Sequence, residues 1–204
     1  TALAAAGARL DTAVFKATCD TAYENDDPVT FLCDAILPKV DEMAELAGLE
    51  EVPSGLWPTV SDPRMDAIVT IAGDAAVFGP TGLGEITMPV MAVGGTADVD
   101  SPFRWGTELT YEHVASTNKV EIGFEGGAHM LFAGECDSAR RIMSLVSLGF
   151  CSDPAWDRGR AHDLVKHYVT SFLEAELRQD RTASDELKPG GPPPPGVTYQ
   201  AEGY

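Results

Sequence analysis

The chain has 204 residues, 32 of them acidic and 14 basic, for a net charge of −18. Such a surface repels phosphate backbones and anionic headgroups, which argues against nucleic-acid binding and polybasic membrane attachment. At 44% hydrophobic and 23% charged the chain can bury a globular core, and it has no run of about 18 apolar residues to span a bilayer.

Residues 1–10 (TALAAAGARL) predict a helix, because alanine and leucine dominate and nothing β-branched follows Thr1. No basic region precedes this apolar start, so it does not read as a signal peptide. Residues 11–60 alternate short helical patterns with the breakers Asn25-Asp26-Asp27-Pro28 and Val52-Pro53-Ser54-Gly55. They predict a helical excursion without strands. Three short apolar runs follow, each closed by glycine: 66–73 (DAIVTIAG), 88–95 (MPVMAVGG) and 119–125 (KVEIGFE, then Gly126-Gly127). A helix is expected around 103–115, at most a helical turn within 74–87, and a long amphipathic helix over 158–178. Strands alternating with helices predict an α/β fold with a mostly parallel sheet flanked by helices. Ligands of such sheets bind at the carboxyl ends of the strands. From Thr182 the composition changes, and Lys188-Pro189-Gly190-Gly191-Pro192-Pro193-Pro194-Pro195-Gly196 favours extended polyproline conformation. Residues 1–181 are therefore expected to form one domain, and 182–204 a tail that hugs the surface or is disordered.

Four cysteines permit three pairings, of which the two local ones, Cys19 with Cys33 and Cys136 with Cys151, are expected. Each would close a loop of about 15 residues, worth roughly 3 kcal/mol in the chain-entropy model. Such disulfides point to a secreted or periplasmic protein; the alternative is four buried thiols in a cytosolic enzyme. No cysteine lies near a histidine at zinc-ligand spacing, so no metal site is expected.

The chemistry concentrates after the second and third strands. One continues as Gly94-Gly95-Thr96-Ala97-Asp98-Val99-Asp100-Ser101-Pro102, the other as Glu125-Gly126-Gly127-Ala128-His129-Met130-Leu131-Phe132. An acid after one strand and a histidine after the next meet at the sheet's carboxyl edge. There a carboxylate on the imidazole Nδ1 fixes the tautomer and supports the imidazolium formed in catalysis. Asp100 is the rival acid. His113, His162 and His167 fall in predicted helices as surface or packing residues, Trp57 and Trp156 read as core, and Glu125 as solvated. Phe78 and Trp105, which follow strand ends, and Met130 are candidates to line a substrate pocket, with ordinary core packing the alternative for the aromatics.

These segments resemble the α/β-hydrolases of the dienelactone-hydrolase-like group, near bacterial relatives of platelet-activating-factor acetylhydrolase and polyester-cleaving esterases. The resemblance runs from Thr1 to about Leu177. It rests on Asp62-Pro63-Arg64 before the first strand, Pro89-Val90 opening the second, the G-T-x-D-x-x-x-P segment at 95–102 and the G-A-H segment at 127–129. It implies Asp98 as the acid and His129 as the general base of a Ser-His-Asp triad, and carboxylic-ester hydrolysis without metal or organic cofactor. That family carries its serine in a G-H-S-x-G-G elbow, and no G-x-S-x-G occurs here. Thr1-Ala2-Leu3-Ala4 is similar to the helix that leaves the elbow. The resemblance therefore implies the C-terminal half of the fold, with the serine on a companion N-terminal chain. Two other readings stand beside it: a non-catalytic binding module on a hydrolase scaffold, and an N-terminal-threonine hydrolase, which would open on a strand instead of a helix.

Overall fold

A computed structural model describes residues 1–134 and 152–204. Helix α1, Ala2–Ala5, is shorter than the helix expected over 1–10. Gly7 takes φ 114°, and the Ala8 N–H turns back to the Leu3 carbonyl at 2.9 Å, closing the helix. The excursion then holds α2 (Thr12–Glu24), α3 (Thr30–Ile36) and α4 (Val40–Leu46). Asp11 caps α2 by accepting from the Val14 N–H at 3.1 Å. Cys19 and Cys33 form a disulfide, buried among Phe15, Ala22 and Val29. The expected Cys136–Cys151 pair lies outside the described residues.

Four strands form one sheet in the order β1 (Ile68–Ile71), β2 (Val90–Gly95), β3 (Lys119–Phe124), β4 (Val197–Glu202). The first three run parallel, with Ile68 opposite Val90 and Val90 opposite Lys119. All six residues of β2 are buried, as befits a central strand with helices on both faces. Met91, Val93, Val120, Ile122 and Phe124 pack against Ala161, Tyr168 and Phe172 of α7 (Arg158–Arg178), which runs over the stretch expected from its amphipathic pattern. On the opposite face Ile68 and Val90 pack with Leu3 of α1 and Leu83 of α5 (Gly79–Leu83). Helix α6, Thr107–His113, packs on β2 and β3. The Ile68 N–H donates to the Pro89 carbonyl just before β2, and the Ala72 N–H to the Val93 carbonyl within it. The main-chain groups of Val69 and Ile71 therefore face away from it. Among the described residues β1 is an outer strand, and Ile71 is exposed.

The stretch from Thr182 corrects the expectation of a tail. It holds α8, Arg181–Glu186, and then β4, antiparallel to β3 with Val197 opposite Phe124 and Glu202 opposite Lys119. The prolines end before the strand begins, so none removes a ladder hydrogen bond. Val197-Thr198-Tyr199-Gln200-Ala201-Glu202 alternates inward and outward, with Val197 and Ala201 buried. Residues 182–204 are thus continuous with the sheet.

Glu121 is a buried carboxylate within β3. Gln200 Nε2 donates to its Oε1 at 2.9 Å, while Oε2 is buried without a partner. Burial pushes its pKa above the ordinary carboxylate range, Gln200 opposes this, and the charges of Glu108 and Glu112 add to it. A raised pKa means the fold holds this proton more tightly than the unfolded chain does. The stabilisation is complete at acid pH and is lost as pH rises through the folded pKa. Glu121→Gln should therefore raise the melting temperature by a few degrees at neutral pH and by less in acid. Equal shifts at both ends of a pH series of thermal melts would contradict this.

Candidate functional site

The site is built where β2 and β3 end side by side. A Cβ on Gly95 would sit 2.2 Å from the Gly127 carbonyl oxygen, so only glycine lets the two strand ends approach this closely. Main-chain bonds then join the two loops. The Thr96 N–H donates to the Phe124 carbonyl and the Ala97 N–H to the Gly127 carbonyl, both at 3.0 Å. The Gly126 N–H donates to Thr96 Oγ1 at 2.9 Å. Asp98 and His129 each stand two or three residues beyond this junction.

The Asp98 side chain is fully buried and the His129 side chain one-third exposed (0% and 34%). Asp98 Oδ1 accepts from the Asp100 N–H at 2.9 Å and the Ser101 N–H at 2.8 Å, an Asx turn that fixes the carboxylate. Its Oδ2 lies 2.9 Å from His129 Nδ1. A carboxylate facing Nδ1 holds the proton there, leaving Nε2 of the neutral ring as an acceptor. A buried acid, an oriented imidazole and an Nε2 with no hydrogen-bond partner among the described residues are what a general base requires.

His129 opens a short 3-10 turn, His129–Phe132, held from behind. The Ala128 N–H donates to Asp153 Oδ2 at 2.8 Å. His162 Nε2, on α7, donates to the Leu131 carbonyl at 2.9 Å. Asp153 Oδ1 also accepts from the Ala155 and Trp156 N–H groups. His162 is thus more than a packing residue: it ties α7 to the histidine turn. Its place one turn into the helix carries no signal of that contact, and Asp153 and Ser101 are equally silent in sequence.

Asp100 is exposed, and the imidazole bond goes to Asp98. Asp98, Asp100 and His129 have ligand-type atoms within 4.8 Å of one another, the one such metal-capable group among the described residues. The lone pairs of Asp98, however, are turned to two backbone amides and the imidazole, which suits a proton relay better than an ion. Of the pocket candidates, Phe78 is buried with Leu3 and Ile68 and lines an apolar groove of ≈ 560 Å³ with Met43, Leu46, Trp57 and Val60. Trp105 packs instead against the disulfide cluster, and its Nε1 donates to Asp27 Oδ1 at 2.9 Å. Met130 is half-buried beside His129. Phe78 and Trp105 thus belong to separate packing clusters. Trp57 and Trp156 are core residues and Glu125 is exposed, as expected. No family model matches the chain, and no curated protein matches it.

Proposed function

We propose that the chain is the acid–base half of a serine carboxylic-ester hydrolase of the α/β-hydrolase type, acting through an acyl-enzyme. The observation that carries the reading is the Asp98–His129 pair, 2.9 Å apart, the acid buried and the ring open on one side, at the carboxyl ends of adjacent parallel strands. In this mechanism His129 Nε2 takes a serine proton as the hydroxyl attacks the ester carbonyl. It then returns the proton to the departing alcohol, while Asp98 supports the imidazolium. Water repeats the sequence on the acyl-enzyme. The substrate is a small-molecule or polymeric ester.

The serine is assigned to a companion segment carrying G-x-S-x-G. The outward main-chain groups of Val69 and Ile71 support this, because they offer an edge beside which the nucleophile strand could pair. The buried Cys19–Cys33 disulfide supports a secreted or periplasmic location. The binding-module reading rests on one observation, that the sequence holds no G-x-S-x-G. The threonine reading is not pursued, since Thr1 precedes a helix. A fluorophosphonate probe followed by intact mass spectrometry separates the two remaining readings. The hydrolase reading expects a co-purifying polypeptide labelled on serine, with labelling abolished by His129→Ala. A soluble, folded chain with no labelled companion and no esterase activity would favour the binding module.

A further inference from the structure

The loop that carries Asp98 runs through Pro102 into a 3-10 turn, Phe103–Trp105, which is held on two sides. Phe103 lies against β2 and β3, where a Cβ on Gly94 or on Gly123 would come 3.1 Å from its ring. Arg104 and Trp105 reach instead to Asp27, in the corner between α2 and α3. Asp27 Oδ2 accepts from Arg104 Nη2 and Oδ1 from Trp105 Nε1, both at 2.9 Å. The Arg104 guanidinium also sits over the Trp105 ring, 4.4 Å from its centroid, so the two donors are presented together. The corner holds the carboxylate still. Oδ1 accepts a second bond from the Val29 N–H at 3.0 Å. The Asp27 carbonyl accepts from the Thr30 N–H at 3.0 Å and from Thr30 Oγ1 at 2.9 Å, and the Asp27 N–H donates to the Ala22 carbonyl at 3.0 Å. The Cys19–Cys33 disulfide closes the 14-residue span around it. With the Asp27 side chain only 15% exposed, these bonds are made largely out of water.

The path from this clamp to the acid is short. The Trp105 and Gly106 N–H groups both donate to the Pro102 carbonyl, at 2.8 and 3.0 Å. Pro102, its φ fixed by the ring, follows Ser101, whose N–H donates to Asp98 Oδ1 at 2.8 Å. We propose that Asp27 is a positioning residue of the acid–base pair, holding the Asp98 loop through Arg104 and Trp105. The proposal rests on the hydrolase reading of Asp98 and His129. Packing of Trp105 in the disulfide cluster would attach the helical excursion to the rest of the chain without any charge. A carboxylate matched to donors on two successive residues of the turn adds direction, which dispersion does not supply. The excursion is then the outer support of the Asp98 loop, and the sheet, through Phe103, the inner one.

The test uses the full chain as purified, with the far-downfield Nδ1 proton of His129 followed by NMR. Asp98→Asn serves as the control and should abolish the signal. Asp27→Ala should keep the signal but speed its exchange with solvent about tenfold, near the lower end of what a hydrogen bond to a charged group is worth. Asp27→Asn, which retains one oxygen for Trp105 and Val29, should restore part of the protection. Trp105→Phe, which deletes the indole donor and keeps the ring, should speed exchange on its own but add little to Asp27→Ala, since both remove one bond. Phe15→Leu destabilises the same excursion without touching Asp27, and should leave the exchange rate near that of the unmutated protein. A signal absent from the unmutated protein would overturn the hydrolase reading itself. A signal present but unchanged by Asp27→Ala, or quickened as much by Phe15→Leu, would overturn only the role of Asp27.

Discussion

Asp98→Asn is expected to lower ester turnover by about 10⁴-fold with little loss of stability. The amide oxygen can replace Oδ1 and keep the bonds from the Asp100 and Ser101 N–H groups, so the Asx turn survives. The substituted amide N–H₂ then faces His129 Nδ1, which must become an acceptor and move its proton to Nε2. A ring protonated at Nε2 cannot accept the serine proton. Steady-state kinetics on a chromogenic ester, beside thermal melts, separate this outcome from unfolding. A variant that keeps most of its activity would move the acid to Asp100. One that loses activity together with its fold would make Asp98 a structural turn residue.

Phe124→Ala should destabilise the protein by about 3–5 kcal/mol, lowering the melting temperature by roughly 6–20 °C. Phe124 is fully buried at the end of β3, and its ring meets Phe132 edge-on at 5.5 Å and Trp156 at 5.0 Å. Deleting it opens a void among α7, β3 and the histidine turn. Phe132 belongs to that turn, so the loss should also loosen His129. Denaturant titration gives the free energy, and a double-mutant cycle with Trp156→Phe should return a coupling of about 0.5–1.5 kcal/mol for the aromatic pair. A loss below about 1 kcal/mol would mean that the cluster collapses around the gap.

Elements whose stability is decided locally were legible in the sequence. The 158–178 helix has its apolar stripe and Asp157 as cap, and the glycine-terminated strands at 90–95 and 119–124 have β-branched cores. The acid and histidine could be found because each follows a strand at once, so parallel order alone brings them to one edge. Elements settled by distant partners were hidden. The strand 197–202 has ordinary alternation, but the proline run before it reads as a tail until β3 is seen to offer an edge. Helix α1 was overextended because alanine propensity carries past Gly7, whose positive φ closes the turn. Asp153 and His162 occupy unremarkable positions, and each acquires its role from a residue 25 or more positions away. Trp105, read as a pocket residue from its place after a strand, is claimed by Asp27, 78 residues earlier.

The reversed direction of β4 has a consequence for how this protein can vary. Because β4 begins opposite Phe124, the proline-rich turn before it lies at the same edge as Asp98 and His129. It is fastened there by the Gly196 carbonyl, which accepts from the Glu125 N–H at 2.8 Å, and by the Pro195 carbonyl, which accepts from Arg160. A fourth parallel strand would have brought its incoming connection to the far edge. Here the proline-rich segment ahead of these two adjacent anchors can change in length or composition without shifting the register of any strand. Changes in this segment would therefore leave the 2.9 Å contact between Asp98 and His129 in place, a separation of rim from pair that follows from the orientation of one strand.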